Sequence, residues 1–174
     1  DVDGMTDLSN AGIFMGKELG FAPCTPAACM EILDHYGIDC TGKKAVVIGR
    51  SLVVGKPAAM MLMGKNATVT VCHTRTKDVP AVAREADILI SAAGVLRSLT
   101  KDYVRPGQTV VDVGVTMGKD GRLHGDVDFE AVAPIVDAVT PVPGGVGAVT
   151  STVLVGHAVE AAIRLCGRAS NVPA

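Results

Sequence analysis

The run Gly49-Arg50-Ser51-Leu52-Val53-Val54-Gly55-Lys56-Pro57 follows an apolar stretch, Ala45-Val46-Val47-Ile48. Together they read as a buried strand, a glycine-bounded turn and a helix start. Such a junction offers backbone N–H groups and the positive end of a helix dipole to a phosphate. Arg50 adds a permanent cation and Ser51 a hydroxyl at the mouth of the turn. The chemistry this suits is dinucleotide binding through Gly49, Arg50, Ser51 and Gly55. The usual Gly-x-Gly-x-x-Gly spacing is absent, with Ser51 in place of the second glycine, so a ligand-free strand–helix turn is the competing reading.

The end of the next strand bears on which dinucleotide. NAD-binding domains place an Asp or Glu there, about 20 residues after the turn, to hold the ribose 2′-hydroxyl. Here the segment is Cys72-His73-Thr74-Arg75-Thr76-Lys77, which offers hydroxyls and cations and no carboxylate. His73, Thr74 and Arg75 suit a 2′-phosphate, so NADP is expected over NAD. Arg75 and Lys77 also suit a solvated loop, Lys77 being read so, and His73 alone suits a packed histidine.

Two further turns follow strands: Ser91-Ala92-Ala93-Gly94 and Asp112-Val113-Gly114-Val115. Gly94, Gly114 and Val115 would let a cofactor approach backbone closely, although ordinary tight turns look the same. The loop Thr140-Pro141-Val142-Pro143-Gly144-Gly145-Val146-Gly147 is stiffened by two prolines and stripped of side chains by three glycines. It is either the wall of a flat-ligand site, through Pro143, Gly144, Gly145 and Val146, or a tight connection. Asp1-Val2-Asp3-Gly4 could place Asp3 on a ligand or merely cap a turn. Cys24 precedes Thr25-Pro26 at a helix start, where a thiol pKa falls in principle, though most cysteines are simply buried.

The elements needed to position these residues alternate. Strands are predicted at 44–48, 67–72, 87–92, 109–114 and 136–140, and helices at 56–63, 79–85 and 149–165. Gly118–His124 is expected as a hairpin-like excursion. An earlier helix is predicted with Thr25 as N-cap, Pro26 at its first position and Gly37 as its stop. Residues 1–23 show no sustained periodicity. Alternating Val/Ile-rich strands and helices predict an α/β fold, a Rossmann-like doubly wound parallel sheet.

Composition is compatible with this. The chain has 174 residues, 48% hydrophobic and 3% aromatic, with 20 glycines. Its net charge of −2 argues against nucleic acid as a partner. No membrane partner is expected, since no apolar run reads as long enough to span a bilayer. Five cysteines without a Cys-x-x-Cys pair point away from metal binding and disulfides, and towards a reducing cytoplasm. The chain begins at Asp1 and reads as a piece of something longer.

Taken in order, six segments resemble one family, the bifunctional methylenetetrahydrofolate dehydrogenase/methenyltetrahydrofolate cyclohydrolases. They are Asp1-Val2-Asp3-Gly4, Pro23-Cys24-Thr25-Pro26, Gly49-Arg50-Ser51 with Val54-Gly55-Lys56-Pro57, Cys72-His73-Thr74, Gly125-Asp126-Val127 and Pro141-Val142-Pro143-Gly144-Gly145-Val146-Gly147. The resemblance implies an NADP domain spanning 24–166, preceded by a folate-side segment 1–23 and followed by a tail 167–174. It implies oxidation of 5,10-methylenetetrahydrofolate by hydride transfer to NADP, then hydrolysis to 10-formyltetrahydrofolate, in one-carbon metabolism and purine biosynthesis. It further implies tetrahydrofolate derivatives as ligands, a homodimer and a cytoplasmic location. Carried over, Arg50, Ser51 and Thr74 would hold the 2′-phosphate side, Val115 would touch the cofactor through backbone, Asp3 would bind the pterin and Cys24 would lie in the cleft. The family's Tyr-x-x-x-Lys is absent, since neither Tyr36 nor Tyr103 is followed by Lys four places on. Ala28, Thr74 and Ala148-Val149 also stand where Gly, Ser and Pro-Met are usual. The alternative is a non-catalytic NADP-binding module.

Overall fold

The computed structural model describes residues 1–169. Its frame is a parallel sheet of β1 (Lys44–Ile48), β2 (Thr68–Cys72), β3 (Ile88–Ser91), β4 (Thr109–Asp112) and β7 (Ala138–Val139). The strands lie in the order β2-β1-β3-β4-β7, all neighbours parallel. Chain direction across the sheet reverses between β1 and β3, so a crevice opens beyond the carboxyl ends of those two strands. Open α/β sheets bind ligands at that switch point.

The strands divide their side chains by strict alternation. Ala45, Val47, Ile88, Ile90 and Val111 enter one core with Ala28, Leu33, Ala58 and Leu62. Val46, Leu89 and Val110 enter the other with Ala83, Leu99, Val104 and Val132. The first core is covered by α2 (Cys24–His35), α3 (Gly55–Gly64) and α6 (Val146–Ala169); the second by α4 (Val79–Arg84) and α5 (Phe129–Val132). A sheet buried on both faces is what permits near-continuous apolar strands. A two-stranded antiparallel excursion, β5 (Thr116–Met117) and β6 (Leu123–His124), supplies the expected hairpin.

Several expectations need correction. The first residues hold a helix, α1 (Asp7–Met15), capped by Thr6, whose side chain accepts from the Ser9 amide, and closed by Gly16 at φ 63°. Helix α2 begins at Cys24 with Pro23 as its N-cap, so Thr25 is already helical. Its stop is as expected: Gly37, at φ 66°, donates to Asp34, and Ile38 to Leu33, satisfying the last carbonyls. Helix α6 starts three residues before Val149 and continues through Ala169, so the supposed tail is helical up to there; 170–174 lie outside the described residues. By length and composition α6 could also cross a membrane, with mean hydropathy 1.5 over Val146–Cys166, contrary to the reading that no such run exists. It packs on the domain through Val146, Val149 and Val153, and further along through His157 and Arg164 against Phe21. Val155, Val159, Ile163 and Leu165 are exposed, as are Leu8 and Phe14 on α1.

Candidate functional site

The turn after β1 packs too tightly for side chains. Gly49 sits at φ 123°, and a Cβ on it would lie 2.2 Å from the Ala92 carbonyl oxygen. A Cβ on Gly55 would lie 2.2 Å from the Gly49 oxygen. The β1 turn is thereby pressed against the β3 turn on one side and the start of α3 on the other, at the switch point. Ser51 does something unforeseen: its Oγ accepts from the Val54 and Gly55 amides at 3.1 and 3.3 Å. Lys56 N–H donates to the Ser51 carbonyl, and Pro57 has no N–H. The first amides of α3 are therefore satisfied internally, which corrects the expectation that they face a ligand. Among the described residues, the amides of Arg50, Leu52 and Val53 donate to nothing, and the Ser51 hydroxyl keeps its own proton to donate.

Register places the next group beside this turn. Ile48 pairs with Cys72, and Gly49 N–H donates to the Cys72 carbonyl at 2.9 Å, so the segments carrying Arg50 and Thr74 leave the sheet side by side. Arg50, Thr74 and Arg75 are exposed. His73 is partly buried and its Nδ1 accepts from the Arg75 amide at 3.2 Å, which puts the ring proton on Nε2 and leaves that N–H to donate. The nearest carboxylate along the chain, Asp78, caps α4 by accepting from the Ala81 amide. The β2 end thus presents a cation, a hydroxyl and a ring N–H, the donor set that a phosphate monoester needs.

The turns after β3 and β4 are tied together by two buried aspartates that sequence reasoning did not assign to the site. Asp126 Oδ2 accepts from the Ala93 and Gly94 amides at 2.7 and 3.0 Å. Asp112 Oδ1 accepts from Gly114 and Asp126, and its Oδ2 from Val127, at 2.9, 3.0 and 3.0 Å. Burial pushes the Asp112 carboxyl above its ordinary 3.8 against the pull of those three amides, and the neighbouring Asp126 charge adds to the rise. Asp126 Oδ1 has no partner and abuts Gly114, where a Cβ would lie 2.3 Å from it. Gly114 is therefore demanded by this carboxylate. Gly94, at φ 67° with open space around it, is demanded by conformation. Val115 is exposed beyond them.

In the proline–glycine loop the Val142–Pro143 peptide is cis and Gly144 sits at φ 99°. A Cβ on Gly145 would lie 2.4 Å from the Pro141 oxygen, so the chain turns tightly into α6. Pro143 and Gly144 are exposed; Gly145 is buried, and the Val146 side chain belongs to the core beneath α6, leaving only its backbone for a ligand. One rim of a groove of about 880 Å³, running beside β7, α2 and α6, is formed by Gly144 and Gly145. Pro143 borders a smaller cavity of about 610 Å³ with Arg97, His124 and Asp112.

Asp3, Cys24 and α6 converge at a third place. Asp1, rather than Asp3, supports the helix start, accepting from the Met5 and Thr6 amides. Asp3 stays exposed, and Gly4 at φ 69° lies so close to Ala22 that a Cβ would meet its carbonyl carbon at 2.3 Å. The Cys24 thiol is buried and its pKa rises from 9.0 to about 11, because burial disfavours the thiolate and the neighbouring Asp3 carboxylate opposes its charge. The lowered value expected at a helix start is therefore corrected: desolvation and a carboxylate outweigh the dipole. His157 lies against the same thiol, Nδ1 to Sγ 3.6 Å, and was not foreseen. Helix α2 leads into β1 through a short loop, so its first residue shares the sheet edge at which β1 ends.

Glycine turns at the switch point of a parallel sheet, with a cation and no free carboxylate at the β2 end, define a nucleotide-binding α/β domain. The chain belongs to the tetrahydrofolate dehydrogenase/cyclohydrolase family, whose NAD(P)-binding domain matches residues 23–166. It is 56% identical over 163 residues to the bifunctional protein FolD of Carboxydothermus hydrogenoformans, covering 92% of this chain and 57% of that protein. The crystal structure of the bifunctional FolD methylenetetrahydrofolate dehydrogenase/cyclohydrolase from Campylobacter jejuni superposes with a TM-score of 0.92 at 46% identity, covering 94% of this chain and 58% of that one. The Trypanosoma brucei enzyme, complexed with NADP cofactor and inhibitor, superposes with a TM-score of 0.84 at 35% identity, covering 91% and 57%. The chain thus spans somewhat under three fifths of the length of these relatives.

Proposed function

We propose that this chain is the NADP-binding part of a bifunctional enzyme that oxidises 5,10-methylenetetrahydrofolate and hydrolyses the methenyl product to 10-formyltetrahydrofolate. Residues 24–166 form the cofactor domain and 1–23 the folate side of the cleft. The observation that carries the reading is the β1–β2 edge: free amides at Arg50, Leu52 and Val53, the Arg50 cation, and Thr74 and Arg75 beside them with Asp78 turned to helix capping.

The residues fit NADP. Arg50, Thr74, Arg75 and the His73 ring N–H would hold the 2′-phosphate; Gly49, Gly55 and the Ser51 hydroxyl would bound the pyrophosphate; Gly94, Gly114 and Val115 would line the remainder. When bound, the nicotinamide supplies a hydride acceptor. The protein's own part is positioning. The Asp112–Asp126 pair fixes the β3 and β4 turns, and Pro143, Gly144 and Gly145 wall the ligand. The exposed Asp3 carboxylate, with two acceptor oxygens, would pair with the ring N–H and amino group of a pterin. Cys24, protonated at neutral pH, would act in the cleft as a donor and not as a nucleophile. The exposed apolar residues of α6 and α1 would be covered by the part of the relatives that this chain does not span, which would also supply the Tyr-x-x-x-Lys. The thiols of Cys24, Cys29, Cys40 and Cys72 are buried and carry no disulfide, which supports a cytoplasmic setting.

Calorimetric titration of the chain with NADP and NAD tests the reading. NADP should bind more tightly. Arg50→Ala should weaken NADP by about tenfold to a hundredfold, the loss of a charge-assisted contact worth about 1.5–3 kcal/mol, and leave NAD nearly unchanged. Equal affinity for the two cofactors would sink it.

A further inference from the structure

His157 lies on α6, far along the chain from the Asp3 turn, yet its Nδ1 is 2.9 Å from the Val2 carbonyl oxygen. A carbonyl only accepts, so Nδ1 carries the proton and donates it. That carbonyl belongs to the peptide unit that begins Asp3, so holding it restrains the rotation that aims the Asp3 side chain. The imidazole also stacks on Phe21, ring centroids 4.8 Å apart, and the Arg164 guanidinium lies 4.7 Å from the centre of the same ring. Two side chains of α6 therefore grip the strand of chain that leads into α2. From the other side the Cys24 thiol approaches the Val2 carbonyl at 3.5 Å. Beyond Asp3, Gly4 is wedged against Ala22 with no room for a side chain. Asp3 is itself exposed, so its direction is set by these backbone restraints.

We infer that His157 is a positioning residue for substrate: by donating Nδ1–H to the Val2 carbonyl it orients Asp3 toward the folate side of the cleft. This rests on the reading of Asp3 as the pterin-binding carboxylate. Substitutions can separate the hydrogen bond from the packing. His157→Phe keeps a ring on Phe21 and removes the donor. His157→Asn keeps a donor, its side-chain amide nitrogen standing near the place of Nδ1, and removes the ring.

Two measurements test it. In the 174-residue chain, the NMR order parameter of the Asp3 amide should fall in His157→Phe and stay at its wild-type value in His157→Asn. For kinetics, the chain is joined to the part of the Carboxydothermus relative that it does not span. There His157→Phe should raise the methylenetetrahydrofolate KM about fivefold while kcat and the NADP KM stay within about twofold, and His157→Asn should restore the folate KM. An unchanged order parameter in His157→Phe overturns the inference, as does an NADP KM that rises in step with the folate KM. Asp3→Ala in the same enzyme separates the two levels. If it raises the folate KM and His157→Phe does not, the inference is wrong and Asp3 keeps its role; if it leaves the folate KM unchanged, the reading of Asp3 fails.

Discussion

Replacing Asp126 by alanine should loosen the wall of the cofactor crevice more than any change at its exposed residues. The carboxylate is completely buried, and its Oδ2 is the acceptor for the Ala93 and Gly94 amides at 2.7 and 3.0 Å. Two amides left without an acceptor cost about 1–3 kcal/mol each, or about 2–6 kcal/mol together. Two features reduce this. Ala93 and Gly94 are exposed, so water can reach part of the vacated space, and removing one carboxylate relieves its repulsion of Asp112. The low end, about 2–3 kcal/mol, is therefore expected. With a urea slope of about 2 kcal/mol/M, the unfolding midpoint should fall by about 1–1.5 M. Asp126→Asn is the control: one oxygen still serves both amides, and the like charge is gone. It leaves an amide nitrogen facing Gly114 and should lose less than half as much. NADP affinity, measured on the folded variants, should fall with Asp126→Ala and largely survive Asp126→Asn. An alanine variant within about 0.5 kcal/mol of wild type would show that the clamp contributes nothing, and that the β3 turn holds its own shape.

Two further outcomes follow from titrating groups. Asp112 has a folded pKa above 3.8, so its protonation favours the native state: the stabilisation is full below 3.8 and disappears as pH rises through the folded value. The stability gap between wild type and Asp112→Asn should therefore widen as pH falls from neutral into the carboxylate range; a narrowing gap would mean that its three amide donors outweigh burial. Alkylation of Cys24, followed by peptide mapping, should keep accelerating up to about pH 11, whereas a rate that levels off below pH 9 would contradict the raised thiol.

What could be seen in the sequence follows the range of the forces involved. Strand β1 is legible to the residue because Ala45 to Ile48 is apolar on both faces and bounded by Lys44 and Gly49, all local information. The β7 segment, expected over 136–140, pairs only at Ala138 and Val139, because it is an edge strand and half its ladder is open. Helix α1 is not legible in the sequence although Thr6 and Gly16 stand at its ends: Leu8 and Phe14 are unburied, so there is no buried stripe to give periodicity. Thr25-Pro26 suggested a cap by local rule, but the start of α2 is set by Pro23, whose carbonyl already accepts from Ala27.

The site divides along the same line. Gly49, Arg50 and Ser51 were legible because a strand–turn–helix junction is continuous in the chain. Their exact duties were not, since only the fold shows that Ser51 Oγ consumes the helix amides and that Gly49 is wanted by the Ala92 carbonyl. Asp112 and Asp126 each stand near a glycine in sequence, as Asp-Val-Gly and Gly-Asp-Val, and nothing local pairs them across a separation of 14 residues. Nor could periodicity single out His157 in an apolar helix, because its meaning lies in a carbonyl at the other end of the chain. The residues that would touch ligand are thus mostly local motifs, whereas those that aim them are joined only by tertiary contact. A variant of this domain with every recognisable motif intact could still fail through Asp126 or His157.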